Sequence, residues 1–204
     1  MKNFYELNFF ENPFKSNFVY PDAKDKLELG VSNKPDDTPY VWNYKGKELL
    51  NILNPEIIEW AKKNKLDFEA LYIFLMTPKY EILVHTDGFF LDWNPIVINW
   101  VVGDNHIPSM YMSWYGTKNP KESLDECIDL SSDDKSLYYL RMDESKLKEI
   151  ERHNITGPTL VKVSTPHRGV NESDQNSWFI SLRFNNKIGT WDKIVEWFQP
   201  YIVK

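Results

Sequence analysis

Thiols, long apolar runs and clustered basic charge are all scarce in this sequence, and each absence excludes a class of protein. The chain has a single cysteine, Cys127, so it can form neither an internal disulfide nor a cysteine-rich zinc site. No apolar run approaches the roughly 18 residues that a membrane span needs. The net charge is −6 and no basic cluster is present, which argues against nucleic acid or an anionic membrane as the main partner.

Bulky apolar residues, by contrast, are plentiful. The hydrophobic fraction is 42%, with 8 Trp, 11 Tyr and 12 Phe, which is enough to build a sizeable core. A length of 204 residues fits one domain. The first residues, Met1–Glu6, are not followed by the apolar segment of a secretory signal, so we expect a cytoplasmic protein.

The first third of the chain is predicted to be an arm and a helix packed on a later core. Residues 1–45 are rich in Pro, Asn and Asp, which break helices and central strands, so we expect an irregular arm. A short edge strand is possible at Phe18–Tyr20 or Tyr40–Trp42. A helix is predicted from Pro55 to Asn64, because Asn54 is a good N-cap and proline suits the first helical position. A helical turn at Lys47–Leu53 precedes it.

After Asp67 the sequence has the character of strands. The segments are short, rich in β-branched or aromatic residues and bounded by Gly, Pro, Asn or Asp, at Phe68–Met76, Glu81–His85, Pro95–Val102, Ser109–Tyr115, Ser136–Met142, Pro158–Ser164 and Ser177–Phe184. A short helix is predicted at Asp143–His153 with Leu147 and Ile150 facing inward. Another is predicted at Thr190–Tyr201.

Strands at this spacing, with helices mainly at the ends, predict a mainly β fold, either a β-sandwich or a jelly roll. We expect one domain over residues 1–204, made of the arm and helix (1–67), the β core (68–185) and a C-terminal helix (190–201).

The segment Glu81–Gly88 carries the first chemical signal. An apolar run ends in His85, Thr86, Asp87 and a glycine. On an extended backbone, side chains at i and i+2 point to one face, so His85 and Asp87 project together. A second predicted strand leads into His167. Two histidines and a carboxylate on one side of a metal, with other positions open, form the site of non-heme Fe(II) oxygenases. The alternative is that the His85 and Asp87 side chains bond only to loop backbone.

On these motifs the sequence resembles the Fe(II)- and 2-oxoglutarate-dependent oxygenases of double-stranded β-helix (cupin-like) fold. More narrowly, it is similar to small members of that family found in marine microbes and their phages. The resemblance covers roughly residues 68–185 and rests on the segments Val84–Gly88, Ile98–Trp100, Ser113–Tyr115, Pro166–Asn171 and Ile180–Phe184. It implies that His85, Asp87 and His167 are the catalytic metal ligands, that Fe(II) and 2-oxoglutarate are the cofactors, and that a small molecule or an amino-acid or peptide side chain is hydroxylated.

The resemblance also implies a basic residue that binds the distal carboxylate of 2-oxoglutarate. The family pattern is Arg-x-Ser on the last core strand, whereas this chain has Phe179 in place of the arginine and keeps Ser181. Arg183 lies on the same face and is the candidate substitute. Its alternative role is an ordinary surface ion pair. Asn99, a polar residue in an apolar strand, is a candidate contact of the co-substrate, or else bonds to neighbouring backbone.

Two other functions stay open from the sequence. One is a cupin-like module that binds a metal or small ligand without 2-oxoglutarate chemistry, which the displaced arginine favours. The other is a jelly-roll interaction domain without metal. Among the remaining candidates, we expect Trp114 and Tyr115 to pack in the core, Arg168 to lie at the rim of the site, Cys127 to be inert, and His106 and His153 to be solvated.

Overall fold

The protein is described from a computed structural model that covers residues 2–21, 40–87, 94–103, 110–116, 124–129, 138–185 and 189–204. The described residues include three helices and twelve strands. In chain order they are β1 (Phe4–Glu6), β2 (Tyr40–Tyr44), α1 (Gly46–Ile52), α2 (Pro55–Lys63), β3 (Phe68–Met76), β4 (His85–Asp87), β5 (Ile96–Gly103), β6 (Met110–Gly116), β7 (Leu124–Asp129), β8 (Tyr138–Met142), β9 (Lys148–Asn154), β10 (Thr159–Val161), β11 (His167–Asn171), β12 (Ser177–Phe184) and α3 (Trp191–Phe198).

The strands form two six-stranded antiparallel sheets. The first has the order β1-β10-β5-β12-β3-β2, and the second has the order β7-β8-β4-β11-β6-β9. The sheets pack face to face, because one buried apolar cluster contains Val97 and Phe179 from the first sheet with Met112 and Trp114 from the second. The protein is thus mainly β with a jelly-roll, cupin-like architecture, as the strand pattern predicted.

Strand β12 shows how sequence alternation divides the interior. Ile180, Leu182 and Phe184 lie in the cluster that the first sheet shares with the helices. Phe179 packs in the cluster between the sheets, and by the two-residue period Ser181 and Arg183 share its face. The face between the sheets is therefore the one that carries polar groups.

The helices cover the outer face of the first sheet. Ile57 and Ala61 of α2 and Ile194 and Phe198 of α3 are buried against it. Asn54 caps α2 by accepting a hydrogen bond from the backbone N–H of Glu56 at 3.0 Å, as the sequence predicted. No described helix is long and apolar enough to cross a membrane.

Most predicted elements are confirmed with small shifts in their ends. The helix predicted at Pro55–Asn64 ends at Lys63, and the one predicted at Thr190–Tyr201 is α3 followed by a 3-10 turn. The strand predicted at Glu81–His85 begins only at His85, and Glu81 makes an isolated bridge to Val170. Of the two possible edge strands, the one at residue 40 forms. Strands β1, β7 and β11 were not predicted.

The prediction of a helix at Asp143–His153 was wrong. Only a 3-10 turn at Glu144–Lys146 is helical, and strand β9 follows it and pairs with β6. Asp143 does cap this turn by accepting from the N–H of Ser145 at 3.1 Å. Ile150, predicted to face inward, is 57% exposed because β9 is a charged strand at the sheet edge.

Candidate metal centre

Two adjacent strands of the second sheet place the predicted ligands together. His85 and Asp87 belong to β4, and His167 belongs to β11. The strands are antiparallel neighbours, and His85 and His167 are directly opposite each other. Because side chains at i and i+2 share a face, Asp87 joins the two imidazoles on one side of the sheet.

The three side chains are close enough to hold one ion. One ligand atom from each lies within 4.8 Å of the others. The two imidazole centroids are 4.4 Å apart, and Nε2 of His85 is 3.7 Å from Oδ1 of Asp87. All three residues are buried, with at most 7% exposure. A His–Asp–His cluster of this kind can bind a metal.

Backbone hydrogen bonds fix which nitrogen of each imidazole faces the cluster. Nδ1 of His85 lies 2.8 Å from the carbonyl oxygen of Leu83, and Nδ1 of His167 lies 2.9 Å from that of Thr165. A carbonyl only accepts, so each Nδ1 carries the proton and donates it. Each Nε2 is then unprotonated and has a lone pair for a metal. This is the usual support of a metal-binding histidine.

Electrostatics keep the ligands in the states that a cation needs. Burial, together with the neighbouring His167, lowers the pKa of His85 to about 3. Burial also lowers the pKa of His167. For Asp87, burial favours the protonated form, but the charge of the Arg183 guanidinium and its hydrogen bond outweigh burial and lower the pKa. At neutral pH the cluster is therefore two neutral imidazoles and one carboxylate.

Arg183 reaches across from the first sheet to this carboxylate. Its NH2 nitrogen donates to Oδ2 of Asp87 at 2.6 Å, and its guanidinium lies 4.9 Å from the centre of the Tyr72 ring. The Arg183 side chain is 14% exposed and Asp87 is buried, so this is a largely buried pair rather than the surface ion pair that was the alternative. In the structure Arg183 bonds to a predicted metal ligand, and its predicted role as a clamp on a co-substrate carboxylate stays a prediction.

Ser181 and Asn99 lie beside Arg183 on neighbouring strands. They are opposite each other in the β12–β5 register and are each 2% exposed. Nδ2 of Asn99 donates to Sδ of Met112 at 3.4 Å, which crosses the gap between the sheets. Its Oδ1 has no hydrogen-bond partner in the described part of the chain. A buried amide oxygen in this state is a candidate acceptor for a ligand.

Phe179, at the position where the oxygenases that the sequence resembles have arginine, packs with its ring centre 5.8 Å from that of Phe74 in the apolar cluster between the sheets. Tyr72, which the sequence reasoning missed, is opposite Ser181 on β3. In the sequence, Tyr72 could have been found only from the two-residue period of β3, which places its side chain on the same face as that of Phe74.

The other candidates lie outside the cluster. Trp114 is fully buried and Tyr115 is 7% exposed, so both pack in the core as predicted. Arg168 forms ion pairs with Glu81 at 2.6 Å and Glu144 at 3.5 Å. The prediction that His153 is solvated was wrong, because its ring stacks on that of Phe4 with the ring centres 3.7 Å apart. His106 lies outside the described residues, and only the backbone of Cys127 is described.

Comparison with known proteins finds likeness in structure and none in sequence. No protein-family model matches the chain, and no curated protein matches it. Solved structures that match include oxalate decarboxylase from Bacillus subtilis, with 10% identity over 73% of this chain and 26% of that one (TM-score 0.36). Others are the non-heme alpha-ketoglutarate-dependent carbocyclase SnoK from nogalamycin biosynthesis, with 15% identity over 72% and 63% (TM-score 0.43), and vicilin from Capsicum annuum, with 9% over 73% and 29% (TM-score 0.34). The chain spans less than two thirds of each, and likeness at this level concerns the fold alone.

Proposed function

We propose that this protein is a non-heme Fe(II)- and 2-oxoglutarate-dependent oxygenase that hydroxylates a small molecule or an amino-acid or peptide side chain. The observation that carries the proposal is the buried cluster of His85, Asp87 and His167 on two adjacent strands. Two imidazoles and one carboxylate, without thiolate, are the donor set of Fe(II) sites that keep positions open.

The donor atoms fit such an ion. His85 and His167 would each bind through Nε2, since Nδ1 is committed to a backbone carbonyl in both. Asp87 would bind through Oδ1, because Oδ2 accepts from Arg183. The iron would supply oxygen activation, in which one oxygen atom enters succinate as 2-oxoglutarate loses CO₂ and the other enters a substrate C–H bond.

The residues of the facing sheet would hold the organic ligands. Asn99 and Ser181 are buried polar groups on the face between the sheets, and the free Oδ1 of Asn99 is available to a donor on a ligand or water. Tyr72 and Phe74 lie on β3, the next strand of the same sheet. The face opposite the cluster thus offers a few polar contacts in an apolar setting, as small-ligand sites do.

A cupin-like module that binds a metal or small ligand without 2-oxoglutarate chemistry is the second candidate. It is favoured by two observations, the bond of Arg183 to Asp87 and the apolar packing of Phe179. With Phe179 in an apolar contact and Arg183 bonded to Asp87, neither position offers a free cation to the distal carboxylate of 2-oxoglutarate.

An anaerobic titration distinguishes the two. Fe(II) and then 2-oxoglutarate are added to the purified protein, and the weak visible charge-transfer band of the ternary complex is followed. The oxygenase should show the band and, on admission of oxygen, should form succinate. Iron uptake without the band supports the binding module, and absence of iron uptake contradicts both.

Two variants locate the site. His167→Ala should abolish iron uptake, because it removes one of the proposed ligands. His153→Ala is the matched control, since it removes another largely buried histidine of the same sheet that stacks on Phe4. Iron uptake that His167→Ala leaves unchanged would mean that His167 is not a ligand, and equal loss in both variants would point to a folding defect.

A further inference from the structure

We propose that Arg183 makes metal binding at this centre depend on a small carboxylate anion that binds together with the metal. The inference rests on the proposed metal centre but not on any oxidation reaction. It follows from the bond between Arg183 and Asp87, which joins a buried cation to the one acidic group among the proposed ligands.

The charge of the site is the first step. His85 and His167 each donate Nδ1–H to a backbone carbonyl, while the Asp87 carboxylate is bonded to the Arg183 guanidinium. The cluster and its bonded arginine therefore carry no net charge before a metal enters. Glu69 also acts on Arg183, with a smaller effect than Asp87. A divalent ion would bring two positive charges next to Asp87, whose negative charge is already paired with Arg183, which is costly.

Competition for Asp87 is the second step. Oδ2 accepts a charged hydrogen bond from Arg183 at 2.6 Å, and Oδ1 is the oxygen near His85. A metal could use Oδ1, but the guanidinium withdraws electron density from the same carboxylate and repels the ion at short range. Both effects weaken the binding of a metal in the absence of an anion. Both are offset when an anion binds, because the anion pairs with Arg183 and balances the charge of the metal.

The surroundings define the class of anion. Nε–H of Arg183 is buried and has no hydrogen-bond partner within the described ranges, so the guanidinium can still donate. Arginine donors match the geometry of a carboxylate. On the same sheet, Phe74 and Phe179 form an apolar contact rather than a second cationic site. A compact carboxylate, or the carboxylate end of a 2-oxo acid, balances the metal charge and pairs with Arg183.

Titration of the metal-free protein with Mn(II) tests this by calorimetry, at constant ionic strength, with and without saturating formate. Formate is the simplest carboxylate, and Mn(II) avoids oxidation. The wild-type protein should bind Mn(II) about tenfold more tightly with formate, the scale on which neighbours of ligating groups change metal affinity. Mn(II) affinity that does not respond to formate or to 2-oxoglutarate would overturn the proposal.

Variants assign the effect to Arg183. Arg183→Met should bind Mn(II) about tenfold more tightly than wild type without formate, and should lose most of the response to formate. Arg183→Gln, which keeps a donor for Asp87 without the charge, should behave likewise and serves if the methionine variant does not fold. Arg183→Lys keeps the charge and should keep the response. Arg168→Met is the matched control, because it removes a partly buried arginine paired with Glu81 outside the cluster.

The outcomes separate this inference from the proposed function. A formate response that persists in Arg183→Met and Arg183→Gln overturns the role of Arg183. A response that requires Arg183, with no succinate formed from 2-oxoglutarate, supports the inference and contradicts the oxygenase. Failure of the wild-type protein to bind Mn(II), Fe(II) or Zn(II) under any condition overturns both.

Discussion

The buried histidines should make the metal-free protein unstable in mild acid, and His85 allows the size of the effect to be worked out. Burial next to His167 lowers the pKa of His85 from 6.5 to about 3 in the folded chain. Between these values the unfolded chain binds a proton that the folded chain does not. The free energy of unfolding therefore rises with pH through this window and falls as the pH drops below 6.5.

At about pH 5 the folded chain still holds His85 neutral, while the unfolded chain is largely protonated there. This pH lies about 1.5 units below the unfolded pKa of 6.5, so the free energy of unfolding is about 2 kcal/mol lower than at neutral pH. The pKa of His167 is lowered in the same direction and adds to the loss. Losses of this size are a large share of the ~5–15 kcal/mol that stabilise an ordinary domain.

Urea denaturation with a chelator present, at about pH 7.5 and about pH 5, measures the effect. His85→Asn removes the titrating group and keeps a polar side chain of similar length, so it should lose about 2 kcal/mol less than wild type between the two pH values. Groups common to both proteins, His153 among them, largely cancel in this comparison. Equal losses in wild type and variant would refute the reasoning, because they would mean that His85 is not held neutral by burial.

Three further predictions concern single side chains. Asn171→Ala should lower the free energy of unfolding by about 3 kcal/mol in urea denaturation, because Nδ2 donates to the carbonyls of Met76, Thr77 and Gln175; a change below 1 kcal/mol would contradict this. Ile150→Lys should change the free energy of unfolding by less than about 0.5 kcal/mol, since this residue is exposed on an edge strand. A loss as large as that of a core substitution would instead favour the predicted helix with Ile150 facing inward. Asn99→Leu should leave the free energy of unfolding unchanged or slightly raised, because it removes a buried oxygen without a partner. It should weaken 2-oxoglutarate binding in the anaerobic titration, because it removes an amide NH2 that can donate to a co-substrate that only accepts; unchanged binding would mean that Asn99 is not a contact.

The sequence predicted the strands whose two faces are both buried and missed those whose signal is weak or mixed. Strands β3, β5 and β12 are nearly continuous apolar segments, so their existence and their alternation could be seen. Strand β9 has the sequence Lys-Glu-Ile-Glu-Arg-His-Asn, which contains no apolar face. It exists because β6 offers a pairing edge along its whole length, and that is a tertiary effect that no local pattern reports.

The candidate ligands were predictable to the extent that they depend on strand period and strand pairing. His85 and Asp87 share a face by the two-residue period alone. The placement of His167 opposite His85 depends on the register between β4 and β11, which the sequence does not contain. The hydrogen-bond partner of Arg183 was also out of reach, since it lies on the other sheet. A sequence pattern gives the direction of a side chain, and the packing of two sheets decides what it meets.

Phe179 and Arg183 together show why the displaced arginine matters. They lie four residues apart on one face of β12, so moving the cation from the first position to the second moves it by two pleats, roughly 13 Å. At Phe179 the side chain is in the apolar cluster with Phe74, whereas at Arg183 it bonds to Asp87. A cation at the first position would select a ligand with a second, distant carboxylate. A cation at the second bonds to Asp87, a proposed metal ligand, and we propose that it controls the binding of a metal and its anion. Metal affinity measured against anion concentration is therefore the property in which this chain should differ most from oxygenases with arginine at the first position.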